Sequence, residues 1–457
     1  MCGLFGIYDN DSREVAKLTY FALYSLQHRG QESAGISVTD GEQITTHKDM
    51  GLVSRIFTED IISGLKGRSA LGHVRYSTTG SSHLHNAQPL EVTFNNEKMV
   101  IAHNGNLVNF DLLCEKLGIT ESNSFSDTEL MARILESSKA DTLEEAVLEM
   151  VKMIQGAYSV VIMTNDKLIA FRDPCGIRPL CIGKIDGSFI VTSETCALDI
   201  VGAELVRPIE PGELVVISRE GLSSKTFRND AKRSMCAFEY IYFARPDSTI
   251  YGKNLYQSRV NMGRNLFREH PVEADLVISV PDSGTPAAIG FAKESGIPYE
   301  DGLIKNRYVG RTFISPTQDM RELGVKIKLN PIRHIFEDKT VVVVDDSIVR
   351  GTTSKKIIQL IRECGAKEVH MRVSSPPVRY PCFYGIDTAT KSELIAANMS
   401  IEEIREHLNV DTLGYLSIQG MIKAINLPGK ELDIACFNGE YPVEIPEEVS
   451  ELKLIFK

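Results

Sequence analysis

The chain has 457 residues, 43% hydrophobic and 24% charged, which suits a globular protein of two or three domains. Its formal net charge of −11 argues against a chain-wide nucleic-acid or anionic-membrane surface, so any phosphate site must be local. No run approaches the roughly 18 apolar residues that span a bilayer, no signal peptide is evident, and nine unevenly spaced cysteines make no secreted disulfide framework, so the expected compartment is a reducing cytoplasm.

In chain order, short strands are expected at 3–8, 156–163, 168–172 and 189–192, with amphipathic helices interposed near 15–26 and 128–137. Leu130, Ile134 and Leu135 recur at helical spacing, and Ser126-Asp127-Thr128-Glu129 before them marks a helix start. The polar stretch 218–234 is the expected linker, which divides the chain into domains 2–230 and 231–457. Beyond it, 274–280 and 339–344 are continuous apolar runs, as strands buried on both faces of a parallel sheet require. Each ends in acidic and small turn residues and then enters a helical pattern, at 287–295 and 353–364. Strand, loop and helix in that order make the grammar of an α/β phosphate binder.

Val341-Val342-Val343-Val344-Asp345-Asp346-Ser347-Ile348-Val349-Arg350-Gly351-Thr352-Thr353 is the most informative string. Four β-branched residues deliver two carboxylates to a strand's carboxyl end, and hydroxyls, a glycine and successive N–H groups follow at a helix N-terminus. The string closely resembles the fingerprint of type I phosphoribosyltransferases. That resemblance implies that Asp345 and Asp346 hold the ribose hydroxyls and Mg²⁺, while Ser347, Arg350, Gly351, Thr352 and Thr353 hold the 5′-phosphate. By the same resemblance, 279–286 is the diphosphate loop, with Ser283 near the metal, and Lys305, Arg307 and Arg311 belong to a loop that closes on the leaving diphosphate.

Cys2 follows only Met1. Removal of the methionine would give the thiol an α-amine of pKa about 8 as its own base. Alone, a cysteine there means little. The ordered strings Cys2-Gly3-Leu4-Phe5-Gly6-Ile7, Gln27-His28-Arg29-Gly30-Gln31-Glu32-Ser33-Ala34-Gly35, Gly72-His73-Val74-Arg75-Tyr76-Ser77-Thr78-Thr79-Gly80, His103-Asn104-Gly105-Asn106 and Ser126-Asp127-Thr128-Glu129 resemble the class II glutamine amidotransferase domain. This implies an N-terminal-nucleophile αββα sandwich, followed here by an α/β phosphoribosyltransferase domain with a mainly parallel sheet. It implies Cys2 as nucleophile, the Asn104 side chain and Gly105 N–H as oxyanion hole, Arg75 against the glutamine carboxylate and Asp127 against its ammonium. With the α-amine as base, His28, His73 and His103 are read as structural.

A class II glutaminase followed by a type I phosphoribosyltransferase is similar to the order found in the amidophosphoribosyltransferase family. The resemblance implies glutamine and phosphoribosyl diphosphate as substrates, purine nucleotides as inhibitors and a homotetramer. Other amidotransferases with the same glutaminase need a sugar-isomerase or adenylating second half, which the Asp345-Asp346 loop argues against. One branch of the family carries a [4Fe–4S] cluster on four cysteines, and Cys236, Cys382 and Cys436 match three of them. The fourth position is Asp433, a harder ligand, which leaves open a cluster with Asp433 as its fourth ligand or a cluster-free or three-iron state. Cys114, Cys175, Cys181, Cys196 and Cys364 are expected to be inert core residues.

Overall fold

The computed structural model describes residues 1–9, 14–76, 83–119, 126–306, 329–386, 390–447 and 449. Arg307, Arg311 and the Ser77–Gly80 end of the third glutaminase string lie outside the described residues.

The first half contains thirteen strands among the described residues. They are β1 (Gly3–Tyr8), β2 (Ser33–Thr39), β3 (Ile44–Met50), β4 (Ser69–Arg75), β5 (Leu90–Phe94), β6 (Glu97–Leu107), β7 (Gly156–Met163), β8 (Lys167–Arg172), β9 (Cys181–Ile185), β10 (Ser188–Thr192), β11 (Glu204–Pro208), β12 (Glu213–Ser218) and β13 (Gly221–Thr226). One sheet runs β11-β9-β10-β1-β4-β2-β3 and the other β13-β12-β8-β7-β6-β5. The period-two alternation of each strand explains why they stack. Leu4, Leu71, Val100, Ala102, Val161 and Leu168 meet between the sheets. Phe5, Ile7, Ile36, Ala70 and Val74 turn outward onto helices Val15–Ser25 and Cys196–Val201. Val160, Ile162, Ile169 and Phe171 turn the other way, onto helices Asp127–Ser137 and Leu143–Met150. The result is the expected four-layer αββα sandwich.

The expected linker needs correction. β13 lies inside 218–234 and pairs antiparallel with β12, closing one edge of its sheet. Its outer residues are mostly exposed, and an exposed edge strand carries the same polarity as a linker.

In the second half, strands Leu276–Ser279, Thr340–Asp345, Glu368–Val373 and Thr412–Tyr415 form one sheet in that order, all parallel. Val342 and Val344 pack on Leu266, Ala287 and Phe291 of helices Leu255–Glu269 and Thr285–Ser295. Val341 and Val343 pack on Ile357, Ile358 and Ile361 of helix Thr352–Glu363. Both faces are covered, which is why the run is apolar throughout. Met235–Cys236 pairs parallel with Leu432–Asp433, joining the start of this half to its far end. No helix among the described residues is long and apolar enough to cross a membrane.

Candidate active sites

β1 begins at Gly3, so Cys2 stands at the very end of a central strand. Its backbone N–H donates to Asn104 Oδ1 at 3.0 Å, and its Sγ lies 3.8 Å from the Tyr76 carbonyl oxygen. Asn104, carried by β6, is fully buried, and its Nδ2 has no hydrogen-bond partner among the described residues. With Oδ1 taken by Cys2, the amide can face only one way, and a fixed donor is left beside the thiol. Gly105 follows at φ +153°, where an added Cβ would lie 1.9 Å from the Ala157 carbonyl oxygen. Only glycine allows this backbone to turn its N–H here.

Asp127 opens helix Asp127–Ser137, capped by the Ser126 side chain on Glu129 N–H. The Asp127 Oδ2 accepts from Leu107 N–H at 2.8 Å, which ties the helix start to the end of β6. Burial pushes this carboxyl up to about 7, against the pull of that N–H and of the Arg75 charge. Arg75 is buried at the end of β4. Burial also holds His73 and His103 down to about 3, so both rings are neutral, and His73 Nε2 sits 3.1 Å from the His103 carbonyl oxygen. His28 Nε2 lies 2.7 Å from Glu194. Cys2 is the partner in none of these contacts.

At the second site, Asp345 ends its strand and Asp346 follows, both buried. Asp346 N–H donates to Asp345 Oδ1 at 2.9 Å, and the Ser347 hydroxyl donates to Asp346 Oδ2 at 2.7 Å. Burial first, then the Asp346 charge, push the Asp345 carboxyl well above the usual range. Two buried carboxylates that resist joint ionisation suit a divalent cation held by oxygen ligands. Gly351 caps helix Thr352–Glu363 at φ +76°, which leaves the first-turn N–H groups open toward the acidic pair's loop. Arg350 pairs with Glu393 at 3.4 Å. The 281–285 turn packs on the same strand end: a Cβ on Gly284 would meet the Val344 carbonyl oxygen at 2.7 Å. Ser283 is in this turn, and Lys305 reaches it through an ion pair with Asp282.

Cys236 and Asp433 are register partners of the short parallel pair, and Cys382 Sγ accepts from Tyr384 N–H at 3.3 Å. Burial first, then Asp433, Cys236 and Cys382, push the Cys436 thiol up. Asp433 is raised to about 6 by burial, against the Ala435 N–H that donates to its Oδ1 at 3.0 Å. No three His, Cys, Asp or Glu among the described residues converge as single-ion ligands. Three thiols and a carboxylate suit a multi-iron cluster by donor type, thiolate sulfur being its usual ligand. Cys114, Cys175, Cys181, Cys196 and Cys364 are buried, with no disulfide.

No sequence pattern signals the buried charge network between the halves. Arg29 bridges Glu194 and Glu239, the latter at 2.7 Å, and Arg178 approaches Glu239 at 3.5 Å. Burial works against the Arg29 charge, and Glu194 and Glu239 still hold it above its ordinary value. Gln88 was missed too: it accepts from His103 N–H at 2.7 Å and donates to the Thr128 hydroxyl at 2.8 Å, bracing β6 against the Asp127 helix.

Fold and sites together define a glutamine amidotransferase joined to a phosphoribosyltransferase. Sequence profiles agree: that of the glutamine amidotransferase domain matches residues 73–199, and that of the phosphoribosyl transferase domain matches 260–375. The chain is 51% identical to the amidophosphoribosyltransferase of Synechocystis sp., across 100% of this chain and 94% of that one. It is 50% identical to that of Bacillus subtilis, across 98% and 95%. A solved structure described as the allosteric regulatory enzyme of purine biosynthesis superposes with a TM-score of 0.93 at 48% identity, covering 99% of each chain. The Bacillus subtilis glutamine phosphoribosylpyrophosphate amidotransferase, solved with ADP and GMP, gives 0.92 at 49% identity, covering 98% of each. The chain belongs to the amidophosphoribosyltransferase family. Its reaction is the glutamine-dependent amination of phosphoribosyl diphosphate, the first step of purine biosynthesis.

Proposed function

We propose that residues 2–230 release ammonia from glutamine at Cys2, and that residues 231–457 install it on phosphoribosyl diphosphate at Asp345-Asp346, giving 5-phosphoribosylamine, diphosphate and glutamate. The observation that carries the reading is the buried Asn104 Nδ2 beside Cys2, without a partner among the described residues.

With Met1 removed, the Cys2 α-amine stays anchored on Asn104 Oδ1 and takes the thiol proton. Sγ attacks the glutamine side-chain carbonyl, and the oxyanion falls between Asn104 Nδ2 and Gly105 N–H, donors fixed before the charge develops. The ammonium gives its proton to the departing nitrogen, ammonia leaves, and water then cleaves the thioester to glutamate. Arg75 and Asp127 hold the α-carboxylate and α-ammonium. The ammonia passes within the protein to ribose C1, where the C1–diphosphate bond breaks as the C–N bond forms and nitrogen sheds a proton. Asp345 and Asp346 position the sugar, and Ser347, Arg350, Gly351, Thr352 and Thr353 hold its 5′-phosphate. Lys305, Arg307 and Arg311 receive the diphosphate. Asp345, Asp346 and Ser283 would hold Mg²⁺, which when bound neutralises the leaving group. Cys2→Ser should abolish glutamine-dependent synthesis and spare ammonia-dependent synthesis. Loss of both in a folded variant, or retention of both, sinks the reading.

Cys236, Cys382, Cys436 and Asp433 would hold a [4Fe–4S] cluster, which when bound would cross-link the start and end of the second half. The reaction moves no electrons. Anaerobic purification should yield iron and sulfide in equal amounts, and Asp433→Cys should retain more of both in air. Absence of iron from the anaerobic protein removes the cluster. The reading further includes a cytoplasmic homotetramer, and inhibition by purine nucleotides, the last of these supported by the relative solved with ADP and GMP.

A further inference from the structure

The loop that follows Pro381 belongs to the second half, yet it rests on the oxyanion strand of the first. Asn106 Nδ2 donates to the Phe383 carbonyl oxygen at 2.9 Å. Gly385, at φ +96°, approaches so closely that a Cβ there would lie 2.9 Å from the Gly105 carbonyl oxygen. Between these contacts stands Tyr384, and its carbonyl oxygen is taken by Arg178: Nε donates at 2.8 Å, and Nη2 donates to the same atom. The guanidinium is fully buried, with Nη1 against Met1 Sδ at 2.6 Å and Glu239 at 3.5 Å.

A forked, planar cation seated on one carbonyl fixes direction as well as distance. Arg178 thus holds the loop covering Gly105 through two donors on one carbonyl, a contact independent of the Met1 that maturation would remove. The oxyanion donors sit on a strand end whose outer support comes from the other half of the chain. We propose that Arg178 is a positioning residue for glutamine hydrolysis: it clamps the 383–385 backbone onto Gly105 and Asn106, so the oxyanion hole is set only when the two halves are docked. This rests on the assignment of Cys2, Asn104 and Gly105 above.

The test uses the full chain with Arg178→Met and, separately, Asn106→Ala, which loosens the same contact from the opposite side. For each, kcat and KM for glutamine hydrolysis and the rate of ammonia-dependent synthesis are measured. The expected result is a fall in hydrolysis kcat on the order of a hundredfold, the cost of displacing a reacting group by about 1 Å. KM for glutamine should hold, since Arg75 and Asp127 are untouched, and ammonia-dependent synthesis should persist. A general loss of structure would instead lower both activities together. Parental kcat in both variants overturns the proposal, as does a proportional loss of both activities in Asn106→Ala. If Arg178→Met does not fold, Asn106→Ala decides alone, because it truncates a half-buried side chain and takes away the Phe383 contact without touching the buried charges. Hydrolysis surviving in Cys2→Ser would overturn the nucleophile assignment itself. Hydrolysis lost there but normal in the two clamp variants overturns only the clamp.

Discussion

In its proposed role Asp127 must be charged to receive an ammonium, yet burial makes that charge costly and pushes the carboxyl up to about 7. The substrate ammonium stays charged across this range, so the carboxylate alone sets the pH dependence of binding. Glutamine affinity for the Cys2→Ser variant, measured by calorimetry, should therefore rise between pH 6 and 8 (roughly the window centred on that value). In Asp127→Asn it should be weak and flat. The sign for stability is opposite. A folded value raised above the ordinary carboxylate value of about 4 favours the fold fully below that pH, and the contribution is lost as pH rises through about 7. Asp127→Asn should accordingly melt with less dependence on pH than the parent. A steeper dependence would contradict the raised value.

Gly351 decides how strand, loop and helix meet at the phosphate site. It stands in the left-handed region at φ +76°, and a Cβ would lie 2.6 Å from Ile395 Cδ1. Gly351→Ala should cost about 1–3 kcal/mol of backbone strain and pull the helix N-terminus away from the phosphate. Synthesis from glutamine and from ammonia should fall in equal proportion, with a lower melting temperature. Unequal loss would place the damage elsewhere. Elements of this kind were legible because their constraints are local. A strand covered on both faces must be apolar throughout, and Val341–Val344 announces it; a helix start must offer a cap, as Ser126 does. β13 was misread because an edge strand facing water obeys the same composition as a linker. Arg178 was invisible for another reason. Its carbonyl partner lies 206 residues away, and nothing in the local pattern of a Gly-Ile-Arg-Pro turn says what will pack there.

At the scale of the molecule, the halves share a set of buried charges. Arg29, Arg178 and Glu194 come from the first half and Glu239 from the second, and all four side chains are fully buried. Removing one member of a buried ion set leaves its partner uncompensated, at about 3–5 kcal/mol. Glu239→Gln should show a loss of that size in denaturant unfolding, where an exposed pair such as Arg228–Asp230 would show little when broken. A neutral result for Glu239→Gln would mean that water or another anion compensates the two guanidinium groups. The network also limits what can be done with the chain as a set of parts. Grafting residues 1–230 onto a foreign acceptor domain would look, on the page, like a cut at a polar joint. The graft would carry two cations and one anion into its interior, and it would fold only if the recipient brought a carboxylate to the place of Glu239. Portability here is decided by the sign of one inherited side chain, far from either reaction.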